Sequence, residues 1–153
     1  MKKCTFCDLS QIGDKIFAET TNFRAIYNLY PILPGHVLII PKKHKVLLKD
    51  LSDKEVCEMM QFAKKVSNVI EDVFKAEGLD FLIQDGVVAG QIIPHLHLHI
   101  IPRKSTDILQ GKIWRKELAN HNKKLENTDF RNRARLSKEE IAEIVVRLKG
   151  YFG

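Results

Sequence analysis

Short apolar segments separated by polar turns recur through the first two thirds of the chain, and they predict the strands of a sheet. Residues 36–40 are almost wholly aliphatic, which predicts a central strand. Two earlier segments lie on either side of a turn at Thr21 and Asn22. Together these runs predict four strands, at residues 16–20, 23–28, 36–40 and 80–84.

A fifth segment, residues 94–102, alternates histidine with aliphatic residues between two prolines. A period of two predicts a half-buried strand, because successive side chains of a strand point to opposite faces. The three imidazoles then share one face and the aliphatic residues share the other. Pro94 and Pro102 suit the two ends of such a strand, where a missing backbone N–H is tolerated.

Two helices are predicted from their N-terminal signals. Ser52 and Glu55 form a capping box ahead of apolar residues at helical spacing from 56 to 74, and Gly78 is the expected end. Ser137 begins a second capping box and a C-terminal helix within residues 137–152. The fold class is therefore α+β, with an antiparallel sheet, one long helix and a C-terminal helix in a single domain spanning residues 1–153.

Composition limits the classes of protein that fit. At 153 residues, with 44% apolar and 29% charged residues, the chain suits one globular domain. The sequence contains no apolar run near the roughly 20 residues that span a bilayer, and its N-terminus lacks a signal peptide. We therefore expect a cytoplasmic protein.

The net charge of +6 is concentrated in residues 103–136, which hold ten Lys or Arg and four acidic residues. This segment has little periodicity and is interpreted as a basic loop. Such an excess of positive charge favours a polyanionic partner. A solvated surface loop is an equally good interpretation of the charge alone.

Cys4 and Cys7 have the C-x-x-C spacing of a structural zinc site or of a redox pair. No strand precedes them, which weakens the redox interpretation. A zinc site needs two further ligands, for which His44 and one histidine of residues 94–102 are candidates. Without those ligands, the two thiols are a chance pair.

Three hypotheses account for the alternating histidines. Same-face residues on a strand are about 6.6–6.8 Å apart, so His95 and His99 lie about 13 Å apart and cannot comfortably share one ion. The second hypothesis is a structural strand whose histidines face a half-exposed surface. It would explain a single histidine there, but it explains three in regular alternation poorly. Nucleophilic catalysis of phosphorus transfer needs a neutral nitrogen, a partner that fixes the tautomer and donors for phosphoryl oxygens. A central histidine held between two others, such as His97, meets that need.

The run His95-Leu96-His97-Leu98-His99-Ile100-Ile101 resembles the signature of the histidine triad (HIT) family. Residues elsewhere also match that family, namely Asn28, Pro34-Gly35-His36, Gln84-Asp85-Gly86 and Ala89-Gly90-Gln91. Ile113-Trp114 and the last helix are similar to the fragile histidine triad branch. That resemblance implies a HIT-like antiparallel sheet, a homodimer, and hydrolysis of dinucleoside polyphosphates of the diadenosine tri- or tetraphosphate type.

The resemblance also implies roles for the four histidines near the site. His97 matches the nucleophile that attacks phosphorus and forms a covalent nucleotidyl-histidine intermediate. His99 matches the residue that contacts the phosphate and assists the leaving group. His95 and His36 match supporting residues that orient the central imidazole.

Four further residues match substrate contacts of the family. Gln84 and Gln91 resemble glutamines that contact phosphate, and Asn28 resembles a residue that contacts ribose. Trp114 matches an aromatic position that reaches the far end of the substrate. There it could stack on a base, for about 1–3 kcal/mol, or anchor the loop by packing.

Cys4, Cys7 and His44 distinguish this chain from the fragile histidine triad branch and are similar to the ligands of zinc-bearing members. With His95 they imply a closed, structural Cys2His2 zinc site. Two alternatives to hydrolysis stay open, a nucleoside phosphoramidase and a dinucleoside polyphosphate phosphorylase. A nucleotide- or nucleic-acid-binding module is a third, and it leaves the histidines unexplained.

Overall fold

The structure is a computed structural model that describes residues 4–107 and 136–153. The basic loop lies mostly outside these residues, and Trp114 lies wholly outside them. Five strands form one antiparallel sheet in the order β1-β2-β3-β5-β4. The strands are β1 Ile16–Glu19, β2 Phe23–Tyr27, β3 Val37–Pro41, β4 Gly78–Ile83 and β5 Leu98–Arg103.

The α-helices within the described residues are α1 Leu9–Ile12, α2 Asp53–Phe74 and α3 Lys138–Lys149. The capping boxes predicted at Ser52 and Ser137 are both formed. The predicted end of α2 at Gly78 is wrong. Lys75 takes the left-handed conformation at φ 53° and ends the helix. Gly78 instead opens β4, where it pairs with Arg103.

The central position predicted for residues 36–40 is confirmed, since all five residues of β3 are buried. Val37 and Ile39 face the main core, in which α2 and α3 cover one side of the sheet. Leu38 and Ile40 face the other side, where they pack with Phe6 and Ile12 of the N-terminal segment. The alternation along β3 therefore places the N-terminal segment on the face opposite the two helices.

The strand predicted over residues 94–102 begins later than expected. β5 starts at Leu98, so His99 is on the strand while His95 and His97 precede it in an irregular segment. The aliphatic partners behave as predicted, because Leu96, Leu98 and Ile100 are all in the main core. The alternation of residues therefore predicted correctly which side chains are buried, but it did not predict the residue at which strand pairing begins.

Pro102 lies inside β5 and not at its end. The backbone N–H of Glu77 donates to the carbonyl of Arg103 at 2.8 Å, so Arg103 faces β4. The nitrogen of Pro102 therefore faces the β3 side, where pairing extends only over residues 98–100. Proline costs no ladder hydrogen bond at that place.

Arg103, counted among the excess positive charges, is used by the fold. Its guanidinium lies 2.7 Å from a carboxylate oxygen of Asp80 and 2.8 Å from one of Asp107. These ion pairs attach the segment that follows β5 to β4, and they raise the pKa of Arg103. Its charge is therefore offset within the fold. Among the described residues, no helix is both long and apolar enough to cross a membrane.

Candidate active site and metal centre

A cavity of about 440 Å³ opens on the face of the sheet that the N-terminal segment covers. Most of its lining surface is apolar, and Ile26 and Leu38 from neighbouring strands contribute to it. Five of the polar residues predicted for the site lie at its wall, namely Asn28, His36, Gln84, His97 and His99, whereas Gln91 and His95 do not. An apolar cavity with a few convergent polar groups is the usual form of a small-molecule site.

His97 is held in one tautomer by the backbone. Its Nδ1 lies 2.8 Å from the carbonyl oxygen of His95, and a carbonyl can only accept, so Nδ1 carries the hydrogen. The lone pair is therefore on Nε2. Burial lowers the pKa of His97, which keeps the imidazole neutral near pH 7. A neutral imidazole at the wall of a cavity is a competent nucleophile.

His36 and His99 form a chain of hydrogen bonds beside His97. The backbone N–H of Ile32 donates to Nδ1 of His36 at 3.1 Å, so the hydrogen of His36 is on Nε2. Nε2 of His36 then donates to Nδ1 of His99 at 2.9 Å. His99 accordingly carries its own hydrogen on Nε2, from which it can donate a hydrogen bond to an oxygen. The rings of His97 and His99 are 4.8 Å apart between centroids.

The residues predicted to contact substrate lie in two different environments. Asn28 and Gln84 are at the cavity, and the side-chain carbonyl of Asn28 accepts from the N–H of Tyr30 at 3.0 Å. Gln91 is buried, accepts from the N–H of Gly86 at 3.0 Å and donates to the carbonyl of Val46 at 2.8 Å. Gln91 thus holds the loop between β4 and β5, and its contact with phosphate stays a prediction.

Gly90 lets this loop approach Gln84 closely. A Cβ atom at residue 90 would lie 2.4 Å from Nε2 of Gln84, and Gly90 has φ +95°. Replacing Gly90 with alanine should therefore displace the Gln84 amide from the cavity wall. With the dinucleoside polyphosphates that the resemblance implies as substrates, we expect kcat/KM to fall by roughly 10–100-fold, because misplacing a contacting group commonly has an effect of this size.

Gly86→Ala is the matched control for this prediction. Gly86 has a similar φ of +99°, but a Cβ atom there meets nothing within 4 Å. Both variants place an alanine at positive φ and so carry backbone strain, although ψ differs between Gly86 (161°) and Gly90 (14°). Steady-state kinetics that show equal losses in the two variants would assign the effect to strain and not to Gln84.

Four side chains predicted as metal ligands come together around His95, at the N-terminal end of residues 95–99, which we call the histidine segment. One donor atom from each of Cys4, Cys7, His44 and His95 lies within 4.8 Å of all the others. Nδ1 of His95 is 3.4 Å from Sγ of Cys4 and 3.5 Å from Sγ of Cys7. Nδ1 of His44 is 3.4 Å from Sγ of Cys7. These four residues form a group that could hold a metal ion.

The separations suit a tetrahedral ion. Bond lengths of about 2.3 Å to sulfur and about 2.0–2.1 Å to nitrogen put sulfur and nitrogen donors about 3.6 Å apart in a tetrahedron. Nε2 of His95 donates to the carbonyl of Pro41 at 3.0 Å, which leaves the lone pair of Nδ1 facing the cysteines. Burial lowers the pKa of His95 to about 4, so its ring is neutral, as a ligand must be.

The electrostatics of the two cysteines also favour binding of a cation between them. Burial and the neighbouring Cys4 raise the pKa of the Cys7 thiol. Two adjacent thiolates are therefore unfavourable unless a positive ion neutralises them. The donor set, two thiols and two imidazoles, is the combination that zinc takes in closed structural sites.

Phe6 is a residue of the site that the sequence reasoning missed. Its ring is buried and lines the cavity. It meets the rings of His95 and His97 edge-on, with centroids 5.7 Å and 5.5 Å away. The one sequence signal was its place between Cys4 and Cys7, and only the fold brings that turn onto His97.

Comparison with known proteins agrees with this geometry. Residues 10–106 match the HIT domain. Over 118 residues the chain is 43% identical to the asymmetrical bis(5'-nucleosyl)-tetraphosphatase of Schizosaccharomyces pombe, covering 77% of this chain and 65% of that one. Over 93 residues it is 45% identical to the bis(5'-adenosyl)-triphosphatase of Dictyostelium discoideum, covering 61% and 62% respectively. The chain thus spans slightly less than two thirds of these two relatives.

Solved structures give a similar result. The diadenosine triphosphate hydrolase of Plasmodium falciparum superposes with a TM-score of 0.70 at 27% identity, covering 90% of this chain and 76% of that one. A zinc-bound histidine triad family protein from Mycobacterium smegmatis superposes with a TM-score of 0.71 at 25% identity, covering 97% and 94% respectively. The α+β fold with its antiparallel sheet is therefore confirmed.

Proposed function

Because the chain belongs to the HIT domain family, we propose that it hydrolyses dinucleoside polyphosphates through a nucleotidyl intermediate on His97. The observation that carries this proposal is the hydrogen bond from Nδ1 of His97 to the carbonyl of His95. It directs the lone pair to Nε2, on a neutral ring at the wall of a nucleotide-sized cavity. The diadenosine tri- or tetraphosphate type of substrate is supported by what the curated relatives are named for.

In the first step, Nε2 of His97 attacks a phosphorus atom and forms a P–N bond while the P–O bond to the leaving group breaks. The N–H at Nε2 of His99 donates a hydrogen bond to the departing oxygen, which leaves as a phosphate anion, and the hydrogen bond from His36 holds His99 in the tautomer that can donate it. The carbonyl of His95 stabilises the positive charge that develops on the His97 ring.

In the second step, water attacks the same phosphorus atom and the P–N bond breaks. The electron pair of the P–N bond returns to Nε2 of His97, the proton of the attacking water is released to solvent, and His99 keeps its hydrogen and donates a hydrogen bond to a phosphate oxygen. The products are a mononucleotide and the remaining nucleotide, and His97 returns to its initial tautomer. Gln84 contacts phosphate and Asn28 contacts ribose in this proposal, because both lie at the cavity wall. Gln91 acts by holding the loop that carries Gly86 and Gly90.

Zn²⁺ is the metal that we propose for Cys4, Cys7, His44 and His95. Four protein ligands leave no open position, so the ion supplies a cross-link and not a reactive water. The ligands join the N-terminal turn and the segment after β3 to the histidine segment. We also propose that the protein is a homodimer in the cytoplasm. Sedimentation velocity that finds only monomer would refute the dimer.

Product analysis of purified protein tests the proposed reaction. Diadenosine tri-, tetra- and pentaphosphate are incubated in H₂¹⁸O, and we expect ¹⁸O in AMP from one side of each substrate. A parallel reaction with inorganic phosphate separates hydrolysis from phosphorolysis, which forms ADP from the transferred nucleotidyl group. Turnover confined to nucleoside phosphoramidates would show a phosphoramidase. Tight oligonucleotide binding without release of mononucleotide would favour a nucleic-acid-binding module.

A further inference from the structure

The nucleophilic ring of His97 needs restraint at more than one edge. Its Nδ1 is fixed by the carbonyl of His95, but Nε2 must stay uncommitted so that it can attack phosphorus. A ring held at one edge can still pivot about its bond to Cβ, because this torsion is broad for histidine. Side chains that pack against the ring can restrain it and still leave Nε2 uncommitted.

Phe6 supplies packing of this kind. The Phe6 and His97 ring planes make an angle of 67°, with centroids 5.5 Å apart. This is a T-shaped contact within the range that aromatic pairs prefer. His99 packs on the His97 ring at 68° and 4.8 Å. The nucleophile therefore packs against Phe6 as well as against another member of the triad.

The same phenylalanine contacts the metal ligand His95, at 88° and 5.7 Å. It belongs to the single turn Thr5–Cys7, in which the N–H of Cys7 donates to the carbonyl of Cys4 at 3.1 Å. Cys4 and Cys7, the two ends of this C-x-x-C, are themselves candidate metal ligands. A metal that fixes the two thiols also fixes the backbone from which the Phe6 ring projects.

We propose that Phe6 is a positioning residue for His97, limiting rotation of the nucleophilic imidazole and linking it to the Cys4–Cys7 turn. This role rests on the proposed function, in which His97 attacks phosphorus. It differs from the role of an apolar wall for a nucleotide base, because a wall affects substrate binding alone. Phe6 acts on the reacting atom through the orientation of another side chain.

The test compares Phe6→Leu with Ile40→Val. Ile40 is buried in the same apolar cluster as Phe6, so its variant reports a general loss of packing. With diadenosine triphosphate as substrate, Phe6→Leu should lower kcat by roughly 10–100-fold and change KM by less than about threefold. Ile40→Val should change neither constant by more than about threefold. A raised KM with unchanged kcat in Phe6→Leu would overturn the proposal.

A second measurement needs no substrate and so separates this proposal from the proposed function. Proteins with ¹³C-labelled histidine are compared by NMR relaxation, and the spectrum of His97→Gln assigns the His97 ring. We expect an ordered His97 ring in the wild-type protein, and exchange broadening or lower order in Phe6→Leu and after metal chelation. Equal order of the His97 ring in wild type and Phe6→Leu would refute the role of Phe6, even if the wild-type protein hydrolyses nucleotides. If the wild-type protein releases no mononucleotide, the proposed function fails while the relaxation data still decide the restraint.

Discussion

Replacing His97 with alanine is expected to lower kcat for mononucleotide release by at least about 10³-fold, because no other group takes over the covalent step. Binding of the nucleotide should persist, since most of the cavity wall is formed by residues other than His97. Steady-state kinetics measure the loss, and titration with a non-hydrolysable dinucleotide measures the retained affinity.

Chemical rescue makes this prediction specific to the imidazole. In His97→Gly, the missing ring leaves space beside the His95 carbonyl that free imidazole can occupy. Added imidazole should restore part of the nucleotidyl transfer and yield a nucleotidyl-imidazole product. Undiminished turnover in His97→Ala would show that another residue or a water molecule attacks phosphorus.

Removing the proposed Zn²⁺ is expected to lower the free energy of unfolding more than any other change considered in these predictions. Metal ligands couple binding to folding, and a metal present at about 1,000 times its Kd stabilises the native state by about 4 kcal/mol. For a chain of 153 residues this corresponds to a fall in Tm of about 8–16 °C on chelation. Cys4→Ser and Cys7→Ser should show similar losses, together with less than one bound zinc per chain by elemental analysis.

Cys57→Ser is the matched control for these cysteine variants. Cys57 is an exposed residue on α2, and it is not among the four candidate ligands. Its replacement should leave both Tm and metal content unchanged. Stoichiometric zinc in Cys4→Ser and Cys7→Ser would show that the ion binds elsewhere.

Much of the fold was predictable because local signals coincide with tertiary packing. The two capping boxes start helices wherever an apolar helical face follows them, as at Ser52 and Ser137. The aliphatic run of β3 needs burial on both faces, and only a central strand provides this. In contrast, the end of α2 depends on where β4 begins to pair with β5, which no local residue type specifies.

The sequence predicted which residues form the site better than it predicted how these residues are arranged. Alternation placed Leu96 and Leu98 correctly, but strand pairing starts only at Leu98. The partners that orient His97 and His95 are backbone carbonyls, which no residue type at those positions indicates. Phe6 and His97 are far apart in the sequence, so the spacing of residues along the chain could not predict their contact.

His95 takes part in two networks through different atoms, and this allows them to be separated by mutation. Its imidazole faces the cysteines, whereas its main-chain oxygen receives the hydrogen of His97. Every amino acid brings a main-chain oxygen, so a substitution at 95 removes the side-chain ligand and keeps the acceptor. A lineage could thus lose its thiols and this ring in any order without losing the acceptor. The proposed covalent chemistry at His97 therefore does not depend on an ion held by the side chain of residue 95.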